Sequence, residues 1–183
     1  YPLEKTGKQD VCRTFSKYVS GIWGCEFIEV EEQDGSKIIG EIGYTIDNTT
    51  KTRALYEINK GVGKTDGVEV NTSIPEELRR VHFINMVYVA DGPSDIPAFS
   101  VVNKSGGATF AIYPAGDMKA MKQVEKMRAQ KRINMFAEAD YSEGKTACMW
   151  LCNKIIEFAE RIREEERKKL TPYTEQGVPK HLV

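Results

Sequence analysis

Asn85-Met-Val-Tyr-Val-Ala-Asp91-Gly-Pro-Ser-Asp95-Ile-Pro97 is the stretch on which the fold turns. The unbroken apolar run from Met86 to Ala90 reads as a strand buried on both faces. Asp91 ends it, Gly92-Pro93 makes a turn, and Ser94 or Asp95 can cap a helix running from Ile96. Two carboxylates, Asp91 and Asp95, therefore fall between the carboxyl end of a strand and the amino end of the next helix. Open α/β sheets bind ligands at that position. Acids so near one another repel unless a positive charge lies between them. A hard divalent cation with oxygen ligands, Mg2+ first, answers that need. A strand ending in a capped turn explains the same residues with no ion, because Asp, Gly and Ser are common turn residues.

Working outward, Ile96 to Lys104 reads as a short helix closed by Ser105-Gly-Gly107, and Ala108 to Tyr113 as a strand followed by the turn Pro114-Ala-Gly116. Asp117 caps a helix reaching about Arg132, with Met118, Met121, Val124 and Met127 on one side. Ile133 to Ala137 is strand-like. A long helix then runs from Lys145 to Leu170, its apolar side drawn by Met149, Cys152, Ile155, Ile156, Ala159 and Ile162. Its charged end, Arg161 to Lys169, reads as a solvated face, and residues 171–183 as a loose tail. Strand and helix alternate from Met86 onward, the pattern of an α/β fold with a parallel sheet.

Before that stretch, Tyr1 to Asp10 reads as loop, and Val11, Phe15, Tyr18 and Val19 follow a helical period. Ile22 to Val30 reads as a strand, Asp34-Gly35 as a hairpin turn and Lys37 to Ile42 as the returning strand, giving a small β-projection over residues 22–42. Asp47-Asn-Thr-Thr-Lys-Thr52 opens a helix that continues to Asn59, with Thr49 or Thr50 as N-cap and Gly61 past its end. Residues 62–75 read as loop.

The 183 residues, 40% of them hydrophobic, suffice for a core and read most simply as one domain, 1–183. A net charge of −1 exerts no bulk pull toward nucleic acid or an anionic membrane. No apolar run approaches the roughly 20 residues that span a bilayer. The cysteines (Cys12, Cys25, Cys148, Cys152) form no zinc pattern. The expectation is a reduced, cytoplasmic protein without a secretory signal, its thiols buried or half-buried.

Gly61-Val-Gly-Lys-Thr65 resembles a phosphate loop only superficially: Ile58 stands where the first glycine is required, and the run follows a helix instead of a strand. Lys51 carries more information. It lies in the first turn of a helix, where the helix dipole mildly disfavours a cation, so it is placed to meet an anion or a carboxylate pair, or else faces solvent. Arg53 and Lys60 are weaker candidates of the same kind. His82 and His181 lack the context of a nucleophilic triad.

Val87-Tyr-Val-Ala-Asp-Gly-Pro-Ser-Asp95 resembles the last acidic motif, G-D-G-x-x-D, of the haloacid dehalogenase superfamily, with Ala90 where glycine is frequent. Thr50-Lys51-Thr52 is similar to that superfamily's lysine motif. Ser105-Gly-Gly107 with Phe110-Ala-Ile-Tyr-Pro114 resembles the strand after the acidic motif. Phe136-Ala-Glu-Ala-Asp-Tyr-Ser-Glu-Gly144 resembles the closing segment of phosphatases near phosphoserine phosphatase. The likeness extends from about Val11 to Ile162.

The resemblance implies a Rossmann-like three-layer sandwich with a parallel sheet, and a Mg2+-dependent phosphohydrolase acting on a small phosphorylated molecule through an aspartyl-phosphate. It implies Asp91 as a direct or water-mediated Mg2+ ligand and Asp95 as completing or supporting the metal site, with Ser94 beside them. Lys51 would neutralise the nucleophile and the transferring phosphoryl group. The family's D-x-D-x-[TV] nucleophile motif is missing from the first forty residues, and Asp47-Asn-Thr-Thr is too near Asp91 to supply it. The expectation is therefore the C-terminal part of such an enzyme, inactive alone and associating with an N-terminal segment that carries the nucleophile. A non-catalytic metal- or phosphate-binding module with the same fold is the alternative.

Overall fold

A computed structural model describes residues 17–175. Contacts divide the chain into two compact units. One runs through Met86 and takes in Pro93–Gly106; the other comprises Val87–Gly92 and continues from Gly107.

The first unit begins with an antiparallel hairpin, β1 (Glu26–Glu31) and β2 (Lys37–Tyr44), joined through Gly35. The pairing register shifts twice, and the extra residues, Gly40 and Gly43, both fall on β2. A Cβ at Gly40 would stand 2.2 Å from Val30 Cγ2, so the bulge there requires glycine. The projection was expected over 22–42 and is observed as strands spanning 26–44.

Helix α1 (Asn48–Lys60) follows. Its N-cap is Asp47, not Thr49 or Thr50. The Asp47 carboxylate accepts from the backbone N–H of Thr49 and of Thr50, each at 2.8 Å, and the Thr50 hydroxyl accepts from the Asp47 N–H at 2.6 Å. These bonds satisfy N–H groups that the first helical turn would otherwise leave without partners. Gly61 ends the helix at φ 82°, donating to the carbonyls of Glu57 and Ile58, which places Gly61-Val-Gly-Lys-Thr65 after a helix. Lys60 donates to the carbonyls of Val70 and Thr72 at 2.6 and 2.8 Å. Buried Asn59 donates to that of Val81 at 2.7 Å. These bonds hold the loop that follows against α1, and they give Lys60 a structural task. Helix α2 (Ile96–Lys104) packs on α1 and contributes the buried side chains Ala98, Phe99 and Val102.

The second unit is a mixed α/β layer built on a three-stranded parallel sheet, ordered β3 (Val87–Ala90), β4 (Ala108–Tyr113), β5 (Met135–Glu138). Helix α3 (Met118–Ala129) packs on β4 and β5, and helix α4 (Thr146–Glu175) packs on β5. This arrangement is compatible with a Rossmann-like α/β fold. Strand β4 is central and begins with four buried residues; β3 lies at an edge and is half-buried, short of the expected burial on both faces. Phe110 is fully buried and stacks on Trp150 with ring centroids 4.8 Å apart, among Ala137, Ala147 and half-buried Val89, Ile112 and Met135. Thr109 is buried with its polar atoms paired to Asn134. Asp117 caps α3 as expected, accepting from Ala120 N–H at 2.9 Å.

Three expectations need correction. Helix α4 continues to Glu175, so residues 171–175 are helical instead of loose. Its packing face is Ala147 and Trp150, whereas Met149, Ile155, Ile156 and Ile162 are exposed. The helix carries two apolar stripes, and period alone does not say which meets the sheet. The thiols of Cys25 and Cys152 are exposed, and only Cys148 is half-buried; all three are free. Cys12, His181 and most of the expected helix from Val11 to Val19 lie outside the described residues. Among the described residues no helix is long and apolar enough to cross a membrane.

The Asp47 cap makes a pH prediction. Hydrogen bonds from the Thr50 N–H and hydroxyl hold its carboxyl below the usual carboxylate range. A depressed folded-state pKa adds stability above the unfolded value, about 3.9, that is lost as pH falls through the folded value. Thermal melts between about pH 6 and about pH 2 should therefore show an acid limb that is shallower in Asp47→Asn, which keeps a capping oxygen but does not titrate. Identical limbs would exclude this role for Asp47.

Candidate functional site

The candidate site of the first unit is built by two helix starts. The capping box leaves the side chain of Lys51, one residue beyond it, free of the cap. Lys51 Nζ donates to Asp95 Oδ1 at 2.9 Å across 44 residues of sequence. Asp95 ends the 3-10 turn Pro93–Asp95 and stands at the N-cap position of α2, yet its side chain makes no capping bond. The helix tolerates that because Pro97 in its first turn has no N–H to satisfy. Ser94 Oγ donates to the other oxygen, Oδ2, at 3.1 Å. Both carboxylate oxygens are thus engaged.

Burial makes this pair consequential. Asp95 is 2% exposed, and an ionised carboxylate withdrawn from water is stable only when paired and hydrogen-bonded. Lys51 supplies the charge and Ser94 a second donor. The start of α2 adds a favourable dipole for Asp95, while the start of α1 opposes Lys51 mildly. Lys51 is 30% exposed. An ammonium has three donors and this one directs one to Asp95, so it can offer hydrogen bonds to an anion without releasing its partner.

Lys51, Ser94 and Asp95 are therefore brought together. Asp91 belongs to the other unit, where it ends β3 as an exposed residue at the carboxyl end of the parallel sheet. Arg53 instead bonds Glu57 at 2.8 Å within α1, and Glu57 also accepts from Trp23 Nε1 at 2.9 Å. His82 precedes a short 3-10 turn, Phe83–Asn85. The direct pairing of Lys51 with Asp95 went beyond the sequence reading, which left the lysine's partner open; a lysine set against a helix dipole was the signal that it had one.

The donors present meet only part of what Mg2+ requires. Among the described residues no group of three or more His, Cys, Asp or Glu side chains is arranged to hold a metal ion. Asp95 is already held by Lys51 and Ser94, which makes it the lysine's counter-ion. Of the two acids Asp91 offers the exposed carboxylate, and Mg2+ takes one or two carboxylates only when substrate phosphate and water complete an octahedron.

Over 151 aligned residues the chain is 36% identical to an uncharacterized protein of Borreliella burgdorferi, an alignment that takes in 75% of this chain and 50% of that protein. The chain thus spans about half the length of this curated relative. No family model matches, and no solved structure matches.

Removing the ammonium should expose the cost of the pair. Lys51→Met is expected to lose about 2–4 kcal/mol in urea unfolding, somewhat below the figure for a fully buried pair because Lys51 is partly exposed. Adding Asp95→Asn to that variant should recover much of the loss. A single-variant cost under about 0.5 kcal/mol would show that the pair is a surface contact.

Proposed function

We propose that this chain is the lysine- and acid-bearing part of a haloacid dehalogenase-like phosphohydrolase, with that superfamily's three-layer fold, acting on a small phosphorylated molecule. The observation that supports this most is Lys51 held by buried Asp95. The charge is expensive to build, and it pairs the lysine motif with the acidic motif.

In this reading Asp95 fixes the Lys51 ammonium in place, and Ser94 fixes Asp95. The ammonium neutralises charge on an attacking aspartate and on the transferring phosphoryl group, where positioning and charge compensation carry most of the catalysis. Asp91, at the carboxyl end of the sheet, is the proposed Mg2+ ligand, aided by oxygen ligands beyond those described. When bound, the ion supplies Lewis-acid charge neutralisation of phosphate oxygens. The attacking aspartate belongs to a D-x-D-x-[TV] segment that this sequence does not contain.

Two measurements test the reading. Mg2+ titrated by calorimetry into the chain with inorganic phosphate present should give heat that Asp91→Asn abolishes; no difference between the two would remove Asp91 from the proposal. The part of the Borreliella protein outside the alignment should carry a D-x-D-x-[TV] motif. Its absence there, or p-nitrophenyl phosphate turnover by the chain alone, would contradict the proposed division of labour. Mg2+ binding without that motif would favour the non-catalytic module.

A further inference from the structure

The hairpin β1–β2 buries none of its large apolar side chains. Phe27, Ile39 and Ile42 are 54%, 66% and 65% exposed, and Ile28, Val30 and Ile38 are exposed as well. A two-stranded sheet is marginal in water without a cover, and an exposed apolar strand edge is a template for another chain. The two edges are not equivalent. Both extra residues at the register shifts lie on β2, which leaves β1 a regular run from Glu26 to Glu31 whose only partner strand among the described residues is β2.

Alternation along β1 places Ile28 and Val30 on one face and Phe27, Glu29 and Glu31 on the other. Over Phe27–Glu31, one side of this edge thus carries two aliphatic residues and the other carries two carboxylates beside Phe27. The surroundings are acidic too: Glu29, Glu31, Glu32, Asp34 and Glu41 lie between Phe27 and Tyr44 against Lys37 alone. That lysine already stands 3.6 Å from Glu29. A second copy of the hairpin would bring the same charge excess, and like charges directly opposite one another destabilise a strand pair.

The geometry points to the β1 edge as a docking site for an extended polypeptide in which apolar residues alternate with lysine or arginine. Added beside β1, such a strand sets its apolar residues next to Ile28 and Val30 and its cations next to Glu29 and Glu31. Main-chain hydrogen bonds supply affinity and the alternating side chains supply specificity. The aliphatic stems of the cations cover apolar surface around Phe27.

The test uses the full chain and a capped peptide of about eight alternating Lys and Val residues, a common strand length, read by fluorescence anisotropy. Binding is expected to exceed that of Lys-Ser and Glu-Val peptides by at least about tenfold and to weaken with salt. Glu29→Lys/Glu31→Lys should reverse the preference toward the Glu-Val peptide. Ile28→Ser/Val30→Ser should weaken Lys-Val binding by at least about tenfold. Circular dichroism confirms folding of each variant, and all four positions are on the exposed hairpin. Equal binding of Lys-Val and Lys-Ser would overturn the proposal, reducing it to charge alone. So would a concentration-dependent dimer in sedimentation that Ile28→Ser/Val30→Ser dissolves, because the occupant would then be a second copy.

Discussion

A carboxylate shut away from water must find a cation, and Asp95 finds Lys51. That requirement ties the start of α1 to the start of α2 through two residues 44 apart in sequence. Three local features make it possible. Asp47 takes over the capping of α1, so Lys51 is free to reach outward from its helix. Pro97 lowers the demand for a cap on α2, so Asp95 is free to turn away from its own helix. Ser94 satisfies the oxygen that Lys51 does not. Replacing the ion pair with apolar side chains would give up little stability in general. On the function proposed above, the pair serves to fix a partly exposed ammonium.

The two units earn their order in different ways. In the sheet unit the order comes from apolar packing, with Phe110 stacked on Trp150 and central β4 closed over at its start. In the first unit, polar bonds carry more of it. Lys60 and Asn59 hold a long loop to α1 through backbone carbonyls, and Glu57 gathers Trp23 and Arg53. Such carbonyls would otherwise need water or secondary-structure partners. The hairpin's large apolar side chains are exposed among the described residues, and on the proposal above they meet a partner strand.

Much of this was legible in the sequence where one periodicity had no competitor. Helix Ile96–Lys104 and strand Ala108–Tyr113 were both read to the residue, because Gly and Pro punctuate them and their apolar runs are short. The start of α1 was read but its cap was not: Asp47, Asn48, Thr49 and Thr50 can each cap a helix, and only backbone dihedrals choose among them. Helix α4 misled for a related reason, since it has apolar residues on two faces and the sheet takes the one containing Ala147 and Trp150. The burial of β3 was overestimated because an apolar run does not reveal whether its strand is central or at an edge. At the site, the residue types were visible, while the choice of Asp95 over Asp91 as partner for Lys51 depended on tertiary placement.

The account rests on Lys51 being held by Asp95 and still able to meet an anionic oxygen. The most direct measurement is the Lys51 ammonium resonance in 1H–15N spectra of the folded chain, recorded as inorganic phosphate is added. The account predicts a resonance protected from exchange before titration, with contacts to Asp95, that shifts saturably with phosphate while keeping those contacts. A Lys51 signal that exchanges as fast as the lysines of the charged end of α4, or that shifts no more than theirs, would contradict it.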